Sequence, residues 1–230
     1  MQPKSHELVI RRALEHTRAP RLTGRLDALL LGNDDEDKYT WPITGWRTPA
    51  IGFTHTFRPG KKYGELYWPS AKTRCVALFG DAFAMEEHDP RRAAGLLGRA
   101  CHLLTDAAVP ARTRGYWHYL GDPLESWIEA HAGEMDTILI DAIPGERSPG
   151  ELMESLAGRS SRRDVDTTTS LPGLLHYMIL GRGRRLSADA VEAQARELVP
   201  LAIAHVAALL LGFDAACSAG IVWPTLEQGR

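Results

Sequence analysis

Cysteine is scarce in this chain, three in 230 residues, and the wide, odd-numbered spacing of Cys75, Cys101 and Cys217 excludes both a disulfide framework and a Cys-x-x-Cys zinc knuckle. At least one thiol stays free, which favours a reducing compartment. An excess of one charge sign is also missing. The 27 Lys and Arg stand against 29 Asp and Glu, a net −2, and basic residues gather only in short clusters such as Arg162-Arg163 and Arg184-Arg185. That is not the basic field a nucleic-acid backbone selects, so no stable nucleic-acid partner is expected. No apolar run approaches the roughly 20 residues that span a bilayer, and Met1-Gln-Pro-Lys-Ser-His6 lacks the apolar core of a secretory leader. These absences predict no transmembrane segment and a cytoplasmic location for the sequence as it stands, or a secreted one if a leader had been trimmed away. Alternating runs of β-branched residues are absent too, which argues against a sheet protein.

Apolar residues instead recur at three- and four-residue intervals, the period of helices that bury one face. The pattern predicts an all-α, single-domain multi-helix bundle over residues 1–230, with no linker and no internal repeat. Ser5 is placed to cap a first helix carrying Leu8, Val9, Ala13 and Leu14, and a second runs from Arg21 to Leu31 before Gly32. Asn33 to Trp68 is irregular, rich in Asp, Gly, Pro and Trp; loops this long in compact domains are usually functional or disordered, and the aromatics here argue against disorder. Further helices are expected from Pro69 to Glu87, from Asp89-Pro90 to Asp106, from Asp122-Pro123 to Ile140, from Ser148-Pro149 to Leu156 and from Leu171 to Leu180. Ser187 caps a long last helix, broken or bent at Pro200; residues 107–121 and 158–169 read as loops.

The segment that carries chemistry is Gly98-Arg-Ala-Cys-His102-Leu-Leu-Thr-Asp106-Ala-Ala-Val-Pro110. Residues four apart share a helix face, so His102 and Asp106 can converge on one ion at the roughly 2.0 to 2.2 Å of zinc ligation. Other residues able to ligate a hard or borderline cation are His6, the run Asp34-Asp35-Glu36-Asp37, His55, His118, Asp122 and Glu125. Asp122 and Glu125 have a second reading as the two halves of a capping box. His16, His88, His131, His176 and His205 read as surface or core residues, Cys101 as packing, and Trp41, Trp46 and Trp68 as pins of the long loop more readily than as a substrate groove.

In this order, the residues resemble the zinc-dependent phospholipase C and single-strand nuclease superfamily, over about residues 5–140, with helices at 148–216 completing the bundle. The matching features are Ser5-His6 at the first helix, Asp37 after the second, His55 in Phe53-Thr-His-Thr-Phe57, and the His-x-x-x-Asp-x-x-x-Pro helix ending at Pro110. The resemblance implies an all-α fold of that type and a cluster of one to three zinc ions. Asp37, His55, His102 and Asp106 would hold one ion, Asp106 bridging toward another on His6, with His118, Asp122 and Glu125 as further ligands. His and carboxylate donors suit Fe and Mn as well. Two departures stand out. Relatives carry a His ligand two residues after the proline, where this chain has Arg112, a guanidinium that stays protonated and cannot ligate. Relatives also use a mature N-terminal Trp as a ligand, where this chain begins Met1-Gln2-Pro3.

The activity implied is hydrolysis of phosphoester bonds by a metal-bound hydroxide, the ion lowering the pKa of water to roughly 7 and Asp37 serving as ligand and base. Substrates in that class include phospholipid head groups, nucleotides and small diesters. Arg112 reads either as a bidentate phosphate partner or as a salt bridge. The alternative is a degenerate or repurposed member, a metal-binding protein or non-phosphate metalloenzyme with a reduced cluster.

Overall fold

The computed structural model describes residues 3–36, 57, 61–63, 66–68, 70–114, 122–135, 137–145, 147–169, 178–179, 181 and 183–220. The chain is built almost wholly of helices: α1 (Pro3–Thr17), α2 (Pro20–Thr23), α3 (Leu26–Glu36), α4 (Ala71–Met85), α5 (Pro90–Asp106), α6 (Pro110–Thr113), α7 (Pro123–Ala130), α8 (Ala132–Met135), α9 (Pro149–Ser160) and α10 (Ala188–Ala219). Two expected caps act as read, Asp89 accepting from the Arg92 amide and Ser187 from that of Ala190; Ser70 also caps, accepting from Thr73, and Ser148 and Glu151 at the expected helix start form a reciprocal capping box.

Several boundaries depart from expectation, each for a local reason. Helix α1 already opens at Pro3, whose fixed φ suits a first helical position, so Ser5 lies inside the helix rather than capping it. The second expected helix is two, and α3 runs through Gly32 to Glu36. Gly32 is a packing glycine rather than a terminator: a Cβ there would sit 1.9 Å from the Gly95 carbonyl oxygen of α5, and one on Gly98 would sit 2.0 Å from that of Leu29. The stretch expected to be irregular contains an antiparallel hairpin, β1 (Lys61–Tyr63) with β2 (Leu66–Trp68), in register Lys61↔Trp68, Lys62↔Tyr67 and Tyr63↔Leu66. The loop after Asp106 holds α6. The helix expected from Pro123 to Ile140 stops at Ala130, where the His131 imidazole Nδ1 and amide both meet the Trp127 carbonyl, and α8 adds one short turn. Helix α9 extends beyond Leu156 to Ser160. Of the helix expected at 171–180, Met178 and Ile179 are helical and the remainder lies outside the described residues.

Helix α10 is not broken at Pro200. It loses the hydrogen bond that proline cannot donate, yet Leu198, Val199, Ala202 and Ile203 on either side are buried and hold it in place. It also corrects the reading that no segment is apolar enough to cross a bilayer. Among the described residues, α10 is long and apolar enough by length and composition, but 61% of its apolar window is buried inside the protein. It serves as the core helix against which α1, α7 and α9 pack. Phe213 of α10 meets Phe79 of α4 edge to face at 5.7 Å between ring centroids, and Leu97, Leu103, Leu104, Leu152 and Leu156 complete the same core. Helices α3 and α4 both lie along α5, so α5 is enclosed over most of its length. Its last turn carries His102 and Asp106 into the interior.

Candidate metal centre

His102 and Asp106 occupy one face of the last turn of α5, and His6 comes from the start of α1; all three are about 1% exposed. Polar side chains are rarely so buried unless paired or ligating. The two imidazoles stack with centroids 4.3 Å apart and planes 11° from parallel. His6 Nε2 stands 3.5 Å from Asp106 Oδ1, and His102 Nε2 stands 3.7 Å from Asp106 Oδ2, so each carboxylate oxygen faces a different imidazole. Those separations exceed the usual hydrogen-bond range. They approach the roughly 3.4 Å edge between neighbouring ligands of a tetrahedral ion with bonds near 2.0 to 2.1 Å. One donor atom from each residue falls within 4.8 Å of the others. Two imidazole nitrogens and a carboxylate are a donor set that zinc accepts, and the residues present therefore fit a divalent ion.

The adjoining charges come from α6 and α7. Pro110 opens α6 immediately after α5, and this short turn folds Arg112 back over the end of α5. Its Nε lies 3.1 Å from Asp106 Oδ1 and its Nη2 lies 3.6 Å from Glu125 Oε1, with the arginine side chain 12% exposed. Glu125 and Asp122 are both buried. Burial pushes the Glu125 carboxyl well above the usual carboxylate range; Arg112 opposes the shift, and Asp122 and Asp106 add to it. Burial raises Asp122 as well, opposed by the Leu124 amide and by Arg112. Asp122 caps α7 by accepting from the Leu124 amide at 2.9 Å, while Glu125 Oε1 turns to Arg112. His6, Glu125 and Thr105 line a small pocket whose opposite wall is Leu198, Val199 and Ala202.

No protein-family model and no curated protein sequence matches the chain. Solved structures do. The alpha-toxin of Clostridium perfringens, from avian strain SWCP, superposes with a TM-score of 0.63 at 15% identity, over 94% of this chain and 64% of the toxin. The alpha toxin of Clostridium absonum gives 0.64 at 16% identity, over 96% of this chain and 65% of the toxin. The chain has the alpha-toxin fold. This is the all-α fold that the sequence resemblance implied, and the chain spans about 64% to 65% of the length of the alpha-toxins it matches.

Within this alpha-toxin fold, His6, His102, Asp106, Arg112 and Glu125 are brought together, with Asp122 beside them. Asp37, His55 and His118 lie outside the described residues. Cys101, next to His102, is buried in the core; burial pushes its thiol up and keeps it protonated, as a packing role requires. Sequence reasoning missed the partners of Glu36. Both Arg74 of α4 and Arg99 of α5 bond its fully buried carboxylate, Arg99 Nε to Oε2 at 2.7 Å. Burial raises that carboxyl, but the two guanidinium groups together hold it below its ordinary value. The signal available was slight. Arg99 lies three residues before His102 on one helix, and nothing in the spacing identifies a carboxylate 63 positions earlier.

Proposed function

We propose that this protein is a metal-dependent hydrolase of phosphoester bonds, with zinc on His6, His102 and Asp106. The observation that supports it most is the convergence of two buried imidazoles and a carboxylate from two separate helices. Asp37 and His55 complete the centre in this reading, Asp37 also as base, with His118, Asp122 and Glu125 as its outer carboxylate and imidazole wall. A divalent ion here supplies Lewis acidity: a nucleophile from water at neutral pH and charge neutralisation on phosphoryl oxygens. The chain's own part is preorganisation. Asp106 is locked between α1 and α6, so its oxygens need not reorient during a reaction. Arg112 adds a permanent positive charge beside the centre, which lowers the electrostatic barrier to bringing in a phosphate anion. The substrate class is a phosphoester: a phospholipid head group, a nucleotide or a small diester.

One observation favours a second reading, that of a metal-binding protein without phosphodiester turnover: the Arg112 guanidinium already engages Asp106 at 3.1 Å. Metal content per chain, measured alongside bis-p-nitrophenyl phosphate turnover before and after chelation, separates the two. Turnover that chelation abolishes supports the hydrolase; bound metal without turnover supports the second reading. His102→Ala and Asp106→Ala are expected to lower metal affinity at least 100-fold while leaving the helical circular dichroism intact. His88→Ala and His131→Ala are expected to retain full metal, and loss of metal in these controls would overturn the ligand assignment.

A further inference from the structure

We propose that Arg112 is a built-in second cation of this centre, a guanidinium that holds Asp106 and Glu125 where a second divalent ion would otherwise sit and so limits the site to one ion. The inference rests on the metal-centre reading above and concerns only its stoichiometry.

Three buried carboxylates, Asp106, Asp122 and Glu125, gather around the one guanidinium. Fully ionised, they leave two negative charges after Arg112 is counted, the charge of one divalent ion. Without Arg112 the same group carries three and exceeds what one such ion neutralises. The geometry agrees with this count. Asp106 Oδ1 is shared by Arg112 Nε at 3.1 Å and His6 Nε2 at 3.5 Å, while Oδ2 faces His102. Among the described residues the Glu125 Oε1 atom has no hydrogen-bond partner, and it lies 3.6 Å from Arg112 Nη2, beyond hydrogen-bond range but within ion-pair range. His6 and Glu125 line one pocket. With the guanidinium gone, Asp106 Oδ1 and Glu125 Oε1 leave carboxylate oxygens on both sides of the space it fills, donors that zinc accepts and that can extend from the first ion to a second, and Arg112→His adds an imidazole to them. An arginine there carries a permanent charge, donates to carboxylates in a fixed planar fork and never ligates. It therefore does the electrostatic work of an ion without offering an exchangeable coordination position.

The experiment is metal counting on the full chain. Wild type, Arg112→Lys, Arg112→Gln and Arg112→His are stripped with chelator, re-equilibrated with excess zinc, dialysed and analysed for zinc per chain, with cobalt titration followed by visible absorption as a second readout. The expected result is one ion for wild type and for Arg112→Lys, and two for Arg112→Gln and Arg112→His, the second ion adding its own cobalt band. A wild type that binds two or more ions overturns the inference and leaves the metal centre standing. So does a folded Arg112→Gln or Arg112→His, judged by circular dichroism, that still binds only one. A wild type that binds none overturns the metal centre itself. Should Arg112→His fail to fold, Arg112→Gln and the wild-type count decide the matter.

Discussion

His205 shows how much one buried side chain in this fold is set by its immediate neighbours. On α10 it is 3% exposed, with Nδ1 donating to the Leu201 carbonyl at 2.7 Å and Nε2 left to face Ser155 Oγ at 3.3 Å. Burial lowers its pKa from the ordinary histidine value, the Leu201 bond opposing the shift and the charges of Arg159 and Arg147 adding to it. Above about pH 6.5 the folded and unfolded chains both carry it neutral. Below that, the unfolded chain takes up a proton the native state refuses, so this contribution to stability is lost as pH falls toward the folded pKa, at up to about 1.4 kcal/mol per pH unit. His205→Gln is therefore expected to lose less melting temperature than wild type between pH 7.5 and 5.5. Identical slopes in the two proteins, measured by calorimetry, would show that His205 titrates freely in the native state.

At the scale of elements, the crossing of α3 on α5 depends on missing side chains. Gly32 and Gly98 let two helix backbones approach until a single Cβ would overlap a carbonyl oxygen. Gly98→Ala is expected to destabilise by about 3 kcal/mol or more, because backbone rather than a flexible side chain must give way. The control lies in α4. Gly80, with no described atom within 4 Å of where a Cβ would stand, should gain about 0.4 to 1 kcal/mol on substitution by alanine, through helix propensity and a less free unfolded chain. Urea unfolding of both variants checks the pair, and equal effects would mean the contact of α3 with α5 is looser than this. The crossing also bears on function, since α5 delivers His102 about one turn and Asp106 about two turns beyond it.

At the scale of the whole molecule, Glu36 ties together three helices, α3, α4 and α5. Its carboxylate, at the end of α3, takes Arg74 from α4 and Arg99 from α5. Removing it leaves two guanidinium groups without their shared counter-charge. Glu36→Ala is expected to cost about 3 kcal/mol, the lower end of the roughly 3 to 5 kcal/mol for breaking a buried ion pair, because Arg99 is 24% exposed and can partly hydrate. Unfolding by denaturant checks this, and a loss under about 1 kcal/mol would reduce the triad to an ordinary surface network. The metal centre spans a different set of elements, α1, α5, α6 and α7, so the two polar clusters grip α5 at its middle and at its last turn.

By itself, the sequence determined the helical class, most of the helix starts and the pairing of His102 with Asp106. All of these follow from local chemistry: a 3.6-residue period, a Ser or Asp oxygen ahead of a first-turn proline, two ligands one turn apart. Only the tertiary structure decided what depends on residues far apart in the chain. It placed His6 over His102, turned Arg112 back onto Asp106, gave Glu36 its two arginines and made Gly32 a contact rather than a stop. It also decided that α10, apolar enough for a membrane, lies in the protein core instead. The physical reason is the same throughout. Local signals act through the backbone within about one helical turn, whereas burial, charge pairing and close helix contact act between surfaces whose meeting no spacing in the sequence records.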